Sequence, residues 1–424
     1  MSAPLWTLGQ RFAFRFLFLF YLHFALTSAP LARIPGFLPW LERYTALWRP
    51  LVEIAGPNVL RFEAPVFVVE GVGASSLYGW ILLLCTLSFA ALGALAWSLL
   101  DRRRDHHLRL QAWFRWLQRL VVSGALIHYG MIKVVPTQMI APPPLGVLLF
   151  RVGELVPNHL LWWFVGASPT FESITGLAEL VAGLLLLVPS TTLLGALLAV
   201  ADLATIVALN LCYDVPVKVY SLHLLVLSIL LVLPDRKRLA DLFLFNRRVE
   251  PAEPPPLAAS PRRHRAAQLA LLAFGVFFIF QSIGDTRKRY EKLYPPRSPF
   301  FGAWSVESFV IDGRETPLYS DPERWRWVTF GRPGSLAVER MDGTPQGFEV
   351  AIDPQWKTLT LTRPPAQKAG GAQNRPDPSV RPSMGRGGDF GYGRPNEDLL
   401  ILEGQLDGRS ATIRLQKMEL TRRR

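Results

Sequence analysis

Nine side chains able to hold a proton, a charge or a strong hydrogen bond lie in or beside stretches otherwise as apolar as a lipid tail: His128, Lys133, Glu179, Asp202, Asn210, Asp214, Lys218, Tyr220 and His223. An ionisable group deep in a spanning segment costs about 2.5 to 3.5 kcal/mol on insertion scales, so such groups face a bundle interior or water. Glu179 and Asp202 are the sharpest pair. They lie ten residues before Pro189 and ten after Thr192, the ends of a Pro-Ser-Thr-Thr turn, so antiparallel helices joined there would bring them to similar depth. Two facing carboxylates repel, and the pair needs a raised pKa, a shared proton, or a cation such as His128 or His223 between them. Proton relay, quinone headgroup binding and a buried structural network all fit the pattern.

Lys133, Glu172, Asp214 and Lys218 fall at the ends of their apolar runs, where snorkelling and helix capping account for each singly. Asp214 before Pro216 has the form of a helix start, with a carboxylate on the positive end of the helix dipole and proline in the first turn. Asn210, Asp214, Lys218, Tyr220 and His223 all belong to one stretch, Asp202 to His223, in which two apolar segments meet in a short polar turn. The chain has no phosphate-binding loop, GxGxxG, GxSxG, HExxH or paired CxxC, so no catalytic residue is assigned. Cys85 and Cys212 form no metal-ligand spacing, and the adjacent His106 and His107 cannot share a helix face, so no metal is expected.

The elements that must position these groups are set by composition. Among 424 residues, 50% are hydrophobic and only 19% charged, which with a mean hydropathy of +0.23 reads as a polytopic membrane protein. The net charge of +13 sits in the gaps between apolar runs instead of along one stripe, which fits membrane topology and not nucleic acid. Seven spans are expected, at 12–26, 77–100, 117–135, 171–188, from the 189–192 turn to about 210, at 217–233 and at 266–283. Arg102, Arg103, Arg104, Arg109 and Arg115 mark one cytoplasmic loop, and eight basic residues between 235 and 265 mark another. Strict alternation then places the N-terminus in the cytoplasm and everything after Gly284 outside it. The run to Leu26 ends in Thr27-Ser28-Ala29, which has the small-residue form of a signal cleavage site, but its phenylalanines read better as a retained span. Between the first two spans, Trp40, Leu41, Tyr44, Trp48, Leu51 and Ile54 recur at helical spacing, as in a helix lying on the membrane surface or packed on the bundle.

Beyond Gly284 the period changes from helical to alternating. Short runs such as Ser335–Met341 and Thr358–Arg363, punctuated by Asp312-Gly313, Asp342-Gly343, Asp353-Pro354 and Asp407-Gly408, are the hairpin signal. A small antiparallel all-β domain of six to eight strands is expected over 284–424, with a disordered insertion at 364–395 that is rich in Gly, Pro, Arg and Asn. Gly302-Ala303-Trp304 on the first strand and Arg414 on the last resemble a lipocalin-like arrangement in which the arginine packs over the tryptophan. Such a domain could also engage a protein partner.

The membrane part resembles the DoxX-like family of bacterial membrane proteins. The resemblance is carried by His128-Tyr129-Gly130 followed by Lys133, by Pro136 with Gln138, and by Gly153-Glu154 before Leu161-Trp162-Trp163-Phe164. It continues through Gly166-Ala167-Ser168-Pro169, Gly176-Leu177-Ala178-Glu179 and the run from Leu209 to Lys218. It implies a four-helix membrane core, at 111–245 here, between N-terminal spans (1–110) and a Pro/Arg linker (246–265) that precedes the last span (266–283). It also implies residence in the bacterial inner membrane. The family takes its name from subunits linked to sulfur-compound oxidation with quinone as acceptor. The expected fold is thus a membrane all-α helical bundle of about seven spans followed by a small antiparallel all-β domain. The expected function is an accessory component binding a small amphiphile, quinone or lipid. A quinone-linked oxidoreductase and a proton-coupled transporter are the alternatives.

Overall fold

The structure is a computed structural model that describes residues 6–60, 77–139, 155–252, 255–294, 296–317, 321–331, 333–363 and 386–419. The chain divides into two compact units, one within 1–139 and 157–289, the other within 140–156 and 290–424.

The first unit is helical. It opens with α1 (Leu8–Thr27), whose N-terminus is closed by a capping box in which Thr7 Oγ1 accepts from the Gln10 N–H and Gln10 Oε1 accepts from the Thr7 N–H. Three short helices follow, α2 (Ala29–Ala32), α3 (Leu38–Ala46) and α4 (Arg49–Leu60), then α5 (Leu77–Leu100) and α6 (Leu108–Val134). After these come α7 (Pro157–Gly166), α8 (Pro169–Leu187), α9 (Thr192–Cys212), α10 (Lys218–Val232), α11 (Arg236–Phe243) and α12 (Pro261–Leu293). The expected surface helix is divided between α3 and α4. Leu41 and Trp48 of the stripe are buried, whereas Trp40, Leu51 and Ile54 are exposed.

Among the described residues, five helical stretches are long and apolar enough to cross a membrane: Leu77–Leu100, Pro169–Leu187, Pro189–Cys212, Lys218–Phe243 and Pro261–Leu293. Their outer faces keep large apolar side chains exposed, among them Leu84, Phe89, Ile174, Leu177, Leu269 and Phe280, a surface that suits lipid and not water. The chain is a membrane protein on this ground. Helices α1 and α6 run through the other two expected spans but carry arginines, and those arginines have internal partners. Arg15 Nη2 donates to the Asp101 carbonyl at 2.9 Å, beyond the end of α5. Arg119 donates from Nε and Nη2 to the Leu186 and Leu187 carbonyls, each at 2.8 Å, closing the end of α8. The last carbonyls of a helix have no partner within it, so a buried guanidinium there satisfies groups that would otherwise be orphaned.

Helices α6, α8, α9 and α10 pack in a ring, each against the next and α10 back against α6. The α6–α8 crossing is close because both helices present glycine. A Cβ on Gly130 would lie 2.7 Å from the Leu180 nitrogen, and one on Gly176 would lie 2.6 Å from the Val134 nitrogen. Small residues at such a crossing let backbones approach where lipid offers no hydrophobic drive for association.

Among its described residues the second unit holds nine strands: β1 (Gly302–Ile311), β2 (Arg314–Glu315), β3 (Trp325–Phe330), β4 (Ser335–Arg340), β5 (Pro345–Asp353), β6 (Thr358–Thr362), β7 (Arg386–Asn396), β8 (Leu399–Leu406) and β9 (Arg409–Lys417). Every neighbouring pair is antiparallel, and β1 pairs with β9, so eight strands close a barrel while β2 extends the β1 hairpin. Alternation does the sorting: Leu336, Val338, Phe348, Val350, Leu359 and Leu361 point inward and their neighbours outward. Asp312 (φ 50°) with Gly313 (φ 76°), and Asp407 (φ 53°) with Gly408 (φ 82°), take the left-handed pairs that a two-residue hairpin turn demands.

Three expectations change here. The stretch 386–395, expected to be disordered, belongs to β7, which pairs with β6 and β8. Its composition lacked apolar weight, but Phe390 and the half-buried Tyr392 supply the inward anchors, and a Cβ at Gly387 would lie 2.5 Å from the Leu361 carbonyl oxygen, so glycine is what fits. The rest of that expected insertion, 364–385, lies outside the described residues. The last long helix does not stop at Gly284 but continues to Leu293. Trp304 is wholly buried and donates Nε1 to the Phe300 carbonyl at 3.0 Å, whereas Arg414 turns outward and donates Nε to Glu307 Oε2 at 3.0 Å. The barrel thus fits a lipocalin-like layout without the expected arginine over the tryptophan.

Replacing Gly176 with valine should drive a side chain into Lys133 and the Val134 nitrogen. Such overpacking costs about 1 to 3 kcal/mol, and the thermal midpoint in detergent should fall accordingly. Gly284→Ala is the control, since its Cβ meets nothing within 4 Å and its midpoint should not fall.

Candidate functional site

The α6–α8 crossing sets a lysine beside a glutamate. Lys133 follows Gly130 by one helical turn, Glu179 follows Gly176 by the same three residues, and the Lys133 ammonium donates to Glu179 Oε1. Both are buried, Lys133 at 8% exposure and Glu179 at 1%. Gly195 on α9 rests against Leu185 and Leu186 of α8. That register carries Asp202 back along α9 toward Glu179, and Asp202 lies in the electrostatic reach of both Glu179 and Lys133. One cation therefore faces two carboxylates. Glu179 Oε2 and Asp202 Oδ2 are buried with no hydrogen-bond partner among the described residues. Buried acceptors are normally satisfied, and leaving one open costs about 1 to 3 kcal/mol, so this acceptor-rich point is where a donor group would be bound.

The expected cation was a histidine, and the structure puts Lys133 there instead. A lysine reaches a partner across four flexible carbons, which spacing along one helix does not reveal. His128 accepts at Nε2 from Arg33 Nη2 at 2.8 Å. His223 sits among the α1 rings, with centroids 4.3 Å from Phe24, 5.3 Å from Phe20 and 5.8 Å from Tyr21. Asn210 donates Nδ2 to Ser221 Oγ at 3.0 Å, bridging α9 to α10. Tyr220 is buried, and its hydroxyl has no partner among the described residues.

Two of the four groups expected at span ends behave differently from snorkelling side chains. Lys133 is the buried partner just described. Glu172 is fully buried and accepts at Oε1 from the Gln138 and Met139 N–H groups, at 3.1 and 2.9 Å, so it ties the chain leaving α6 to the first turn of α8. Asp214 does not start a helix. It takes φ 52° in the turn after α9, its side chain is 83% exposed and it pairs with Lys218, while α10 begins at Lys218 after the N-cap Val217.

Arg33 was not singled out from the sequence. It lies in an aromatic loop after the first span, where a single arginine gives no periodic signal, and only the tertiary fold brings it to His128 and, at 3.8 Å, to Asp285. At the N-terminal end of α6, His107 Nε2 accepts from Arg15 Nε at 3.2 Å, and burial, reinforced by the Arg15 charge, pushes its imidazole below the ordinary value. Among the described residues no group of three or more His, Cys, Asp or Glu side chains could hold a metal ion.

No family model matches the chain, and no solved structure matches it. Over 134 aligned residues it is 30% identical to a protein of Bacillus subtilis (strain 168) named Uncharacterized protein YwoB, an alignment that takes in 30% of this chain and 79% of that protein. The chain belongs to the YwoB family. That relative's name states no activity, so the function of this YwoB-family chain has to be argued from its buried site.

Lys133→Met would leave Glu179 as a buried charge without its cation. Removing one partner of a buried pair costs about 3 to 5 kcal/mol, so the variant should melt far below the parent in detergent. Adding Glu179→Gln should recover a substantial part of the loss. A double variant no more stable than Lys133→Met would show that the two side chains are not coupled.

Proposed function

We propose that the chain is a DoxX-like accessory component of the bacterial inner membrane whose helical core binds a small amphiphile, a quinone or a lipid. The observation that carries this reading is the Lys133–Glu179–Asp202 group, because two buried carboxylate oxygens in an apolar bundle await a hydrogen-bond donor. A quinol hydroxyl or a lipid headgroup would supply it, and the apolar side chains around the ring would take the tail. The four-helix ring of α6, α8, α9 and α10 agrees with the core that the family resemblance implies. In this reading α1 and α6 complete seven spans, the N-terminus is cytoplasmic and the barrel is extracytoplasmic, free to meet a protein partner.

Quinone-extracted and untreated samples of the purified chain should differ in native mass spectrometry by one small amphiphile. Asp202→Asn should lose it while keeping a near-parental melting temperature. Protein that retains no small molecule and does not respond to an added short-tailed benzoquinone would sink the reading. The charge count also favours a second reading. One lysine cannot neutralise two carboxylates, so the site holds a proton or a net negative charge, as a proton-coupled transporter would require. Proton uptake by proteoliposomes that is abolished in Asp202→Asn would select it. Orientation is tested separately: alkaline phosphatase fused after Glu419 should be active, and a fluorescent cytoplasmic reporter there would overturn the topology.

A further inference from the structure

A second polar cluster in the helical unit is built of donors where the first is built of acceptors. Arg33 Nη2 donates to His128 Nε2 at 2.8 Å. A guanidinium has no acceptor, so Nε2 of His128 must be the lone-pair nitrogen, and the neutral ring carries its proton on Nδ1. That Nδ1–H is buried with no partner among the described residues, and the same is true of the Tyr220 hydroxyl. Both side chains are more than nine-tenths buried.

Several contacts draw these groups together. The Tyr129 and Tyr220 rings lie 6.2 Å apart, the His128 and Tyr129 rings lie 5.3 Å apart, and Arg33 is within electrostatic reach of both tyrosines. Gln281 of α12 donates Nε2 to the Arg33 carbonyl at 3.2 Å, which holds the arginine's backbone against α12. The nearest carboxylate, Asp285, stands 3.8 Å from Arg33 Nη2, too far for a hydrogen bond, while Arg289 adds a second positive charge to the surroundings. The Arg33 side chain is 24% exposed, whereas His128 and Tyr220 are buried. Tyr129 also lies within the electrostatic reach of Glu179.

We infer that Arg33 and Tyr220, with His128 holding the arginine in place through Nε2, form an anion subsite that takes a phosphate or carboxylate oxygen, the headgroup end of the bound amphiphile. Arg33 supplies charge-assisted donors, and the Tyr220 hydroxyl supplies a neutral donor to the same kind of acceptor. The inference rests on the reading of the bundle as an amphiphile site, and it adds that the amphiphile, or an anion occupying its headgroup position, is negatively charged.

The test uses the full chain with dioleoylphosphatidylglycerol or dioleoylphosphatidylcholine added in detergent, read by native mass spectrometry. Inorganic phosphate alone serves as a separate probe of melting temperature. Preferential retention of the anionic lipid supports a lipid headgroup, and a phosphate-induced rise in melting temperature without lipid supports a free anion. Whichever probe binds, Arg33→Gln and Tyr220→Phe should weaken it about tenfold to a hundredfold, the loss of one hydrogen bond to a charged group. Arg33→Lys should retain part of the affinity. Tyr220→Phe should melt at the parental temperature, because its hydroxyl has no partner within the described protein, so its effect on binding is not a folding effect. No preference for the anionic lipid together with no effect of phosphate overturns the subsite, as does undiminished binding by Tyr220→Phe. If a neutral amphiphile is still retained in an Asp202-dependent way, only the anion subsite fails. If nothing is retained at all, the amphiphile reading fails with it.

Discussion

The close crossing of α6 and α8 is the constraint on which the helical unit depends. With glycine at 130 and 176 the two backbones come near enough that Lys133 meets Glu179 inside the bundle, away from both lipid and water. In a medium of low dielectric an unpaired charge is far more costly than the net gain from a paired one, so the pair contributes specificity of register more than stability. Any slippage of α8 along α6 would separate the charges and press a side chain into a backbone. The α8–α9 register then follows from Gly195, and it brings Asp202 to the same charged point.

The arginines of the helical unit obey the same physics at the ends of helices. A charged side chain near a bilayer core is tolerated when it serves groups that must otherwise go unsatisfied, and the carbonyls at a helix C-terminus are such groups. Arg119 answers those of α8, while Arg15 and Arg11 answer the carbonyls of Asp101, Arg102 and Arg104 beyond α5. These arginines therefore satisfy the carbonyls at the end of α8 and those of the segment that follows α5. The donor-rich cluster at Arg33 and the acceptor-rich cluster at Glu179 and Asp202 differ from these caps, because both keep buried polar atoms without a partner among the described residues.

The barrel relies on a different economy. Its backbone groups are paired strand to strand, closure of β1 on β9 removes the two exposed edges, and the interior is filled by Trp304, Phe330 and alternating aliphatic side chains. Arg324 is buried within this unit and donates to the Val306 and Glu307 carbonyls at 3.4 and 3.2 Å. Where the chain must turn tightly, Asp-Gly pairs take the positive φ that other residues resist. Glu315 on the short β2 accepts from Ser308 Oγ at 2.7 Å and from the Phe309 N–H, which holds its carboxyl below the usual carboxylate range and ties the hairpin down.

Much of this architecture was legible along the chain, because apolar periodicity and turn chemistry are local. Twenty-residue apolar runs are long enough to span, alternation with Asp-Gly turns makes hairpins, and ten residues on either side of a turn bring Glu179 and Asp202 to similar depth in antiparallel helices. What periodicity cannot carry is which faces meet. Lys133 looked like a snorkelling end group until the glycine crossing drew it inward. His128 and His223 looked like cations for the carboxylates until Arg33 and the α1 rings claimed them. Arg386–Asn396 looked too poor in apolar residues to be ordered, until pairing on both edges and one buried phenylalanine made it a strand. The sequence by itself determined most of the elements, their order and the buried carboxylates Glu179 and Asp202. Only the tertiary structure decided the partners, because a buried charge takes whichever counter-group the close approach of backbones leaves within reach, and that approach is a property of two surfaces at once.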